Sequence, residues 1–154
     1  MTELTPLHQV QDLVVPKMQF RFRIVAEVAS TIPIEATGAD ELGFIPITGG
    51  RVTGKLSGAV VEGGGDWCLR RNDGSYAVDA RYGIRSDTGA YIDVHNTGVL
   101  IREDGIEYFM TTPTFRTVDP DLVWLTRSLF VGRAHVGPGA TTIDVFELTR
   151  SAKD

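Results

Sequence analysis

Glycine spacing constrains this chain more than any other feature. Its 17 glycines recur at short intervals. The stretches between them are short and rich in β-branched and aromatic residues, which is how an all-β domain built from successive hairpins reads. Turn signals stand at Gly49-Gly50, Gly63-Gly64-Gly65, Asn72-Asp73-Gly74, Asp87-Thr88-Gly89, Asp104-Gly105 and Gly137-Pro138-Gly139. Between and around them lie the strand candidates Lys55 to Glu62, Asp66 to Arg70, Tyr76 to Arg85, Ala90 to Leu100, Glu107 to Thr112, Leu129 to Val136 and Thr142 to Leu148. A further strand starts at Met18, where Met18, Phe20, Phe22 and Ile24 alternate with Gln19, Arg21 and Arg23, a period of two that no helix produces. Only Pro120 to Ser128 reads as helical, a turn or two with Pro120 at the first helical position and Asp119 as cap.

About eight strands joined by short loops make antiparallel neighbours the default, and a sandwich or a barrel the economical architecture; up-and-down hairpins favour the barrel. The expected fold is all-β, a single closed or nearly closed antiparallel β-barrel with at most one short helix. Residues 1–16 are expected to form an N-terminal arm and 17–150 the barrel domain. At 154 residues the chain is one domain, large enough to bury roughly 70% of its extended surface without a metal or disulfide.

Charge and cysteine content narrow the function. A net charge of −5 and a pI near 5.2 argue against nucleic acid and anionic membranes as partners, because both need a basic surface. Cys68 is the lone cysteine, and His8, His95 and His135 are far apart, so neither an internal disulfide nor a zinc site is expected. Residues 1–11 have no basic start or apolar core of a signal peptide, and no run approaches 18 apolar residues, so a cytoplasmic location is expected.

The Asp87-Thr88-Gly89 turn suits a three-residue hairpin with Gly89 left-handed. That register pairs Ser86 with Ala90, Arg81 with His95 and Gly83 with Asp93. Asp79, Arg81, Arg85, Tyr91, Asp93 and His95 then share one face; Tyr76, Val78, Ala80, Tyr82, Ile84, Ile92, Val94 and Asn96 share the other. The ionisable face is either the solvated outside of a half-buried sheet, or it projects into the barrel, where Asp79 would hold Arg81 or orient His95 as an acid or base. Asp66 and Trp67 follow three glycines, but no Lys-Ser/Thr and no βαβ unit follows, so a phosphate loop is not supported and Gly63 to Gly65 read as a flexible hairpin or a bulge. No Gly-x-Ser-x-Gly elbow occurs, and Cys68 reads as a buried thiol.

The series Pro46-Ile47-Thr48-Gly49-Gly50-Arg51, Gly63-Gly64-Gly65-Asp66-Trp67, Asp79-Ala80-Arg81-Tyr82, Asp87-Thr88-Gly89-Ala90, Asn96-x-Gly98, Tyr108-Phe109, Thr112-Pro113-x-Phe115, Trp124-Leu125 and Phe130-Val131-Gly132 resembles the domain of unknown function 3237 family of bacteria and fungi, from about Phe20 to Leu148. The resemblance implies a compact antiparallel barrel similar to lipocalin-like and allene-oxide-cyclase-like barrels. Some fungal members are associated with cofactor-free ring closure. Carried over by position, the polar residues are Arg51, Asp66, Asp79, Arg81, Tyr82, Asn96 and Tyr108, with Trp67 and Trp124 as aromatic companions. The chain departs from the pattern at Thr126, where many relatives have Asn, and at Asp93 and His95, so a role for His95 borrows nothing from the family.

The expected function is a cofactor-independent acid–base enzyme, an isomerase, cyclase or hydratase-lyase, acting on a small oxygenated and largely apolar molecule inside the barrel. Asp79, Asp66 or His95 would move a proton, and Arg81 or Arg51 would stabilise the developing anion. Trp67, Tyr82, Asn96, Tyr108 and Trp124 would line the binding site. No metal or organic cofactor is called for. The alternative is a non-catalytic small-molecule-binding barrel. A third reading is a structural subunit with Met18, Phe20 and Phe22 as an interface stripe, and the sequence leaves homo-oligomerisation open.

Overall fold

The computed structural model describes residues 13–151; His8 and most of the expected N-terminal arm lie outside that range. Its strands are β1 (Lys17–Val28), β2 (Ile32–Thr37), β3 (Asp40–Gly54), β4 (Gly58–Arg70), β5 (Tyr76–Ser86), β6 (Tyr91–Glu103), β7 (Ile106–Arg116), β8 (Phe130–Gly137) and β9 (Ala140–Thr149). A short 3₁₀ helix, Pro120–Thr126, links β7 to β8. All neighbours are antiparallel in the order β1-β9-β8-β7-β6-β5-β4-β3-β2. A further β1–β3 pairing closes the sheet, so eight strands form the barrel and β2 is an extra strand carried on β3. The expected closed antiparallel barrel with one short helix is the fold observed.

Local chemistry explains the hairpins. At Asp104-Gly105 both residues take positive φ (53° and 75°), the twist that a two-residue hairpin needs. At the β5–β6 turn the Ser86 amide donates to the Ala90 carbonyl at 2.8 Å and Gly89 sits at φ 93°. That geometry sets Arg81 opposite His95 and Gly83 opposite Asp93, as expected from the turn.

Two of the glycine signals do not turn the chain. Gly49-Gly50 lies within β3 and Gly63-Gly64-Gly65 within β4, where the pairing register shifts and the long strands bend around the barrel. Gly50 has φ +139°, and a Cβ there would collide with the Val25 carbonyl oxygen across the β1–β3 closure. The sequence reading therefore splits β4 into two candidates and omits β2 and β3, although the number of barrel strands is eight. The expected common face of Met18, Phe20, Phe22 and Ile24 also breaks. A bulge between Phe20 and Phe22 sets Phe20 against Phe146 and Phe22 against Val145, leaving Met18 and Phe20 exposed while Phe22 and Ile24 are fully buried.

One end of the barrel is plugged. Phe22, Phe115, Phe130 and Trp124 meet mostly edge-to-face with ring centroids 5.2–6.2 Å apart. The 3₁₀ helix caps this end and buries Leu125; Asp119 accepts from the Asp121 amide, and Pro120 supplies the pre-set φ of the first turn. No helix among the described residues is long and apolar enough to cross a membrane.

Candidate functional site

At the opposite end the barrel encloses a cavity of about 340 Å³. Its walls are mostly apolar, with Ala26, Ile47, Val78, Leu100, Phe109 and Ile143 pointing inward by the two-residue alternation of their strands. Ser30, Thr31, Tyr76, Arg102 and Thr141 also border it, and four polar side chains interrupt the wall on adjacent strands: Asp66 on β4, Tyr82 on β5, Asn96 on β6 and Thr111 on β7.

Register brings these four together. Asp66 pairs with Ala80, Ala80 with Asn96, and Asn96 with Pro113, so one row crosses four strands. Ala80 carries only a methyl group, which leaves room between Asp66 and Asn96, whose backbones stand about 10 Å apart at the usual strand spacing. Tyr82 is two residues along β5 from Ala80, and Thr111 faces Gly98, two residues along β6 from Asn96. The polar groups thus border a gap on an otherwise apolar wall.

The β4 bulge sets the Asp66 position. A Cβ at Gly64 would overlap the Arg81 carbonyl and the Tyr82 backbone, so only glycine lets β4 press this closely on β5. The β4–β5 register shifts between Val61 and Gly65 and then holds, with the ladder pairs at Trp67 and Cys68 missing between Asp66↔Ala80 and Leu69↔Ala77. There Asp66 Oδ1 accepts the Asp79 amide at 2.8 Å.

Burial pushes the Asp66 carboxyl up from 3.8 to about 6; the Asp79 amide opposes this and the Asp79 charge adds to it. Near neutral pH the group therefore exchanges a proton readily. Burial also raises the Tyr82 phenol, which stays protonated as a hydrogen-bond donor. The Cys68 thiol, at the cavity rim, is pushed up to about 12 by burial and then by the Asp66 charge, so it is no thiolate nucleophile. Tyr82 Oη, Asn96 Oδ1 and Thr111 Oγ1 are buried with no hydrogen-bond partner among the described residues. Buried polar groups are normally satisfied, and three unpaired on one cavity wall are groups ready for a guest molecule.

Of the ten residues singled out from sequence, Asp66, Tyr82 and Asn96 line this cavity. Asp79, Arg81 and His95 sit on the outer face of β5 and β6. His95 Nε2 lies 2.7 Å from Asp79 Oδ1, and Arg81 lies 3.5 Å from Asp93, which also binds Arg116 at 2.7 Å. The ionisable face of this hairpin is the solvated side of the sheet, because barrel closure turns the apolar face with Asn96 inward. Arg51 is exposed on β3. Trp67 stacks on Phe44 outside the barrel, ring centroids 4.8 Å apart. Tyr108 is exposed on β7. Trp124 packs in the plugged end, with Lys55 Nζ 4.3 Å from its ring centroid. Thr111 belongs to no motif in the sequence, although the Asp104-Gly105 hairpin sets it opposite Gly98 and hence on the Asn96 face. Among the described residues no group of three or more His, Cys, Asp or Glu is placed to hold a metal ion.

The family described as "Protein of unknown function (DUF3237)" matches residues 16–148. The chain belongs to this family. A curated relative, the UPF0311 protein RPA1785 of Rhodopseudomonas palustris, is 30% identical over 84% of this chain and 95% of its own length. The crystal structure of RPA1785, a conserved protein of unknown function, superposes with TM-score 0.81 at 29% identity, covering 87% of this chain and 98% of that one. A β-barrel-like protein of Acinetobacter baumannii superposes at TM-score 0.84 and 25% identity, over 90% of this chain and 99% of that one. A crystal structure described as an enzyme from Penicillium herquei shares the fold at TM-score 0.73 and 20% identity, over 96% and 98% of the two chains. The barrel fold is thus shared by bacterial and fungal proteins.

Proposed function

We propose that this DUF3237 protein is a cofactor-independent acid–base enzyme, of isomerase, cyclase or hydratase-lyase type, acting on a small, oxygenated and largely apolar molecule held in the barrel. The observation that carries this reading is a carboxyl group with a pKa of about 6 in the same apolar cavity as three unpartnered polar side chains. Asp66 takes a proton from the bound molecule and returns it elsewhere. The Tyr82 and Thr111 hydroxyls donate to the oxygen on which charge develops, and Asn96 Oδ1 accepts from a substrate hydroxyl. These neutral donors fill the role that Arg81 and Arg51 would have had as cations. A positioned acid–base group contributes about 10²–10⁴ in rate, and fixed donors in a water-poor site add to it, enough for an intrinsically easy proton shift.

A panel of cyclic enones and hydroxyketones incubated with the protein in heavy water tests this. The expected result is protein-dependent deuterium incorporation next to a carbonyl, lost in Asp66→Asn. Exchange that is unchanged in Asp66→Asn overturns the assignment of the base. A second reading, a binding barrel without chemistry, is favoured by the Asp79 amide held on Asp66, which gives that carboxylate a structural task. It predicts panel compounds that bind and never exchange.

A further inference from the structure

β2 is anomalous for a strand in a small barrel. All six of its residues are exposed, although Ile32, Pro33, Ile34 and Ala36 are apolar. Among the described residues it pairs only with β3, and the space under this hairpin is a groove of about 650 Å³. Ile34, Pro33 and Ala36 form its roof, and Leu42 and Ile45 belong to its apolar wall. Thr31, Ile45, Cys68 and Tyr76 border both this groove and the interior cavity, so the two spaces adjoin at the barrel mouth. The rim carries Glu35, Glu41 and Arg70, with Arg70 Nη1 3.7 Å from Glu41.

A second copy of the chain is a poor occupant. Pro33 and Glu35 on the free edge of β2 are features that blunt strand-to-strand pairing. Continuity with the cavity points to the same molecule that the cavity holds. We propose that the groove beneath the β2–β3 hairpin is a second subsite, taking the apolar extension of an elongated neutral ligand whose oxygenated end lies among Asp66, Tyr82 and Asn96. This deepens, and rests on, the reading of the interior as a ligand site. Ile34, half-exposed at 49%, becomes covered when the extension lies beneath it.

The test is a homologous series of 4-n-alkylcyclohexanols, methyl to octyl, titrated calorimetrically into the wild type, Ile34→Glu and Tyr82→Phe. A methylene moved from water into an apolar site is worth about fourfold in affinity. The expected wild-type affinity keeps rising with alkyl length after the interior is filled. Ile34→Glu flattens that rise for the long homologues and leaves the short ones unchanged, while Tyr82→Phe weakens all of them alike. Longer homologues should also increasingly shield Cys68, at the junction, from a thiol reagent. Affinity that stops rising or falls with length, or an Ile34→Glu loss equal for short and long homologues, overturns the subsite. If Ile34→Glu flattens the series but Tyr82→Phe changes no member, the groove stands and the interior reading fails. If no homologue binds, both fail.

Discussion

The Asp66 carboxylate accepts a hydrogen bond from the Asp79 backbone amide at 2.8 Å, at the point where the β4–β5 ladder lapses. One residue thereby joins two strands and faces the cavity. Its folded-state pKa of about 6 lies above its ordinary value of 3.8 because burial disfavours the charge. The folded chain thus holds this proton more tightly than the unfolded chain. The resulting stabilisation is complete below about pH 4 and is lost as pH rises through about 6. Asp66→Asn keeps an acceptor for the Asp79 amide and removes the buried charge. Its stability relative to wild type is expected to grow across that window, by up to about 2 kcal/mol at the alkaline end. Urea unfolding of both proteins on either side of the window checks this; a difference independent of pH refutes it.

Tyr82 is buried, yet its hydroxyl bonds to nothing among the described residues. Tyr82→Phe therefore breaks no internal hydrogen bond, and its stability is expected to stay within about 1 kcal/mol of wild type. Affinity for a hydroxylated guest is expected to fall about tenfold, the value of one lost hydrogen bond in a desolvated site. Phe115→Ala, in the plug, is the control: it should cost about 3–5 kcal/mol. Thermal melts and calorimetric titrations of the two variants separate the cavity from the core.

The outer His95–Asp79 pair is short, at 2.7 Å, but its side chains are 42% and 58% exposed. Exposed pairs of this kind contribute about 0–1 kcal/mol. His95→Ala is expected to change stability by no more than that and to leave ligand affinity and proton exchange at wild-type levels. A large loss of exchange in His95→Ala, with binding intact, would return the chemistry to the outer face.

The β5–β6 hairpin shows how much was legible. Its turn residues specified the register, and with it the two faces, because a three-residue loop leaves little freedom in pairing. Asn96 and Tyr82 were correctly placed together on the apolar face. That this face turns inward, with Asp79, Arg81 and His95 outside, depends on the direction in which the sheet curves. No alternation within two strands encodes that direction. Asp66 stands out through its glycine neighbours, and of the hairpin and the bulge those glycines allow, the structure has the bulge. Gly63 to Gly65 do not reverse the chain; they let β4 bend and press on β5, and the bend aims Asp66 at the cavity.

β3 was overlooked for a similar reason. Gly43, Pro46, Gly49 and Gly50 make it look like a loop, yet the barrel needs those residues where the strand bends and β1 comes within contact of Gly50. Local sequence is enough to set the antiparallel hairpins, the register across their tight turns, and the alternation that separates apolar from charged faces. These follow from local sterics and the two-residue period of a strand. Only the tertiary structure decided which glycines bend and which turn, and where the bulge after Phe20 reverses the faces of β1. It also decided that Asp66, Tyr82, Asn96 and Thr111 share one cavity. These depend on closure between β1 and β3, a pairing distant in sequence whose geometry is set by the whole sheet.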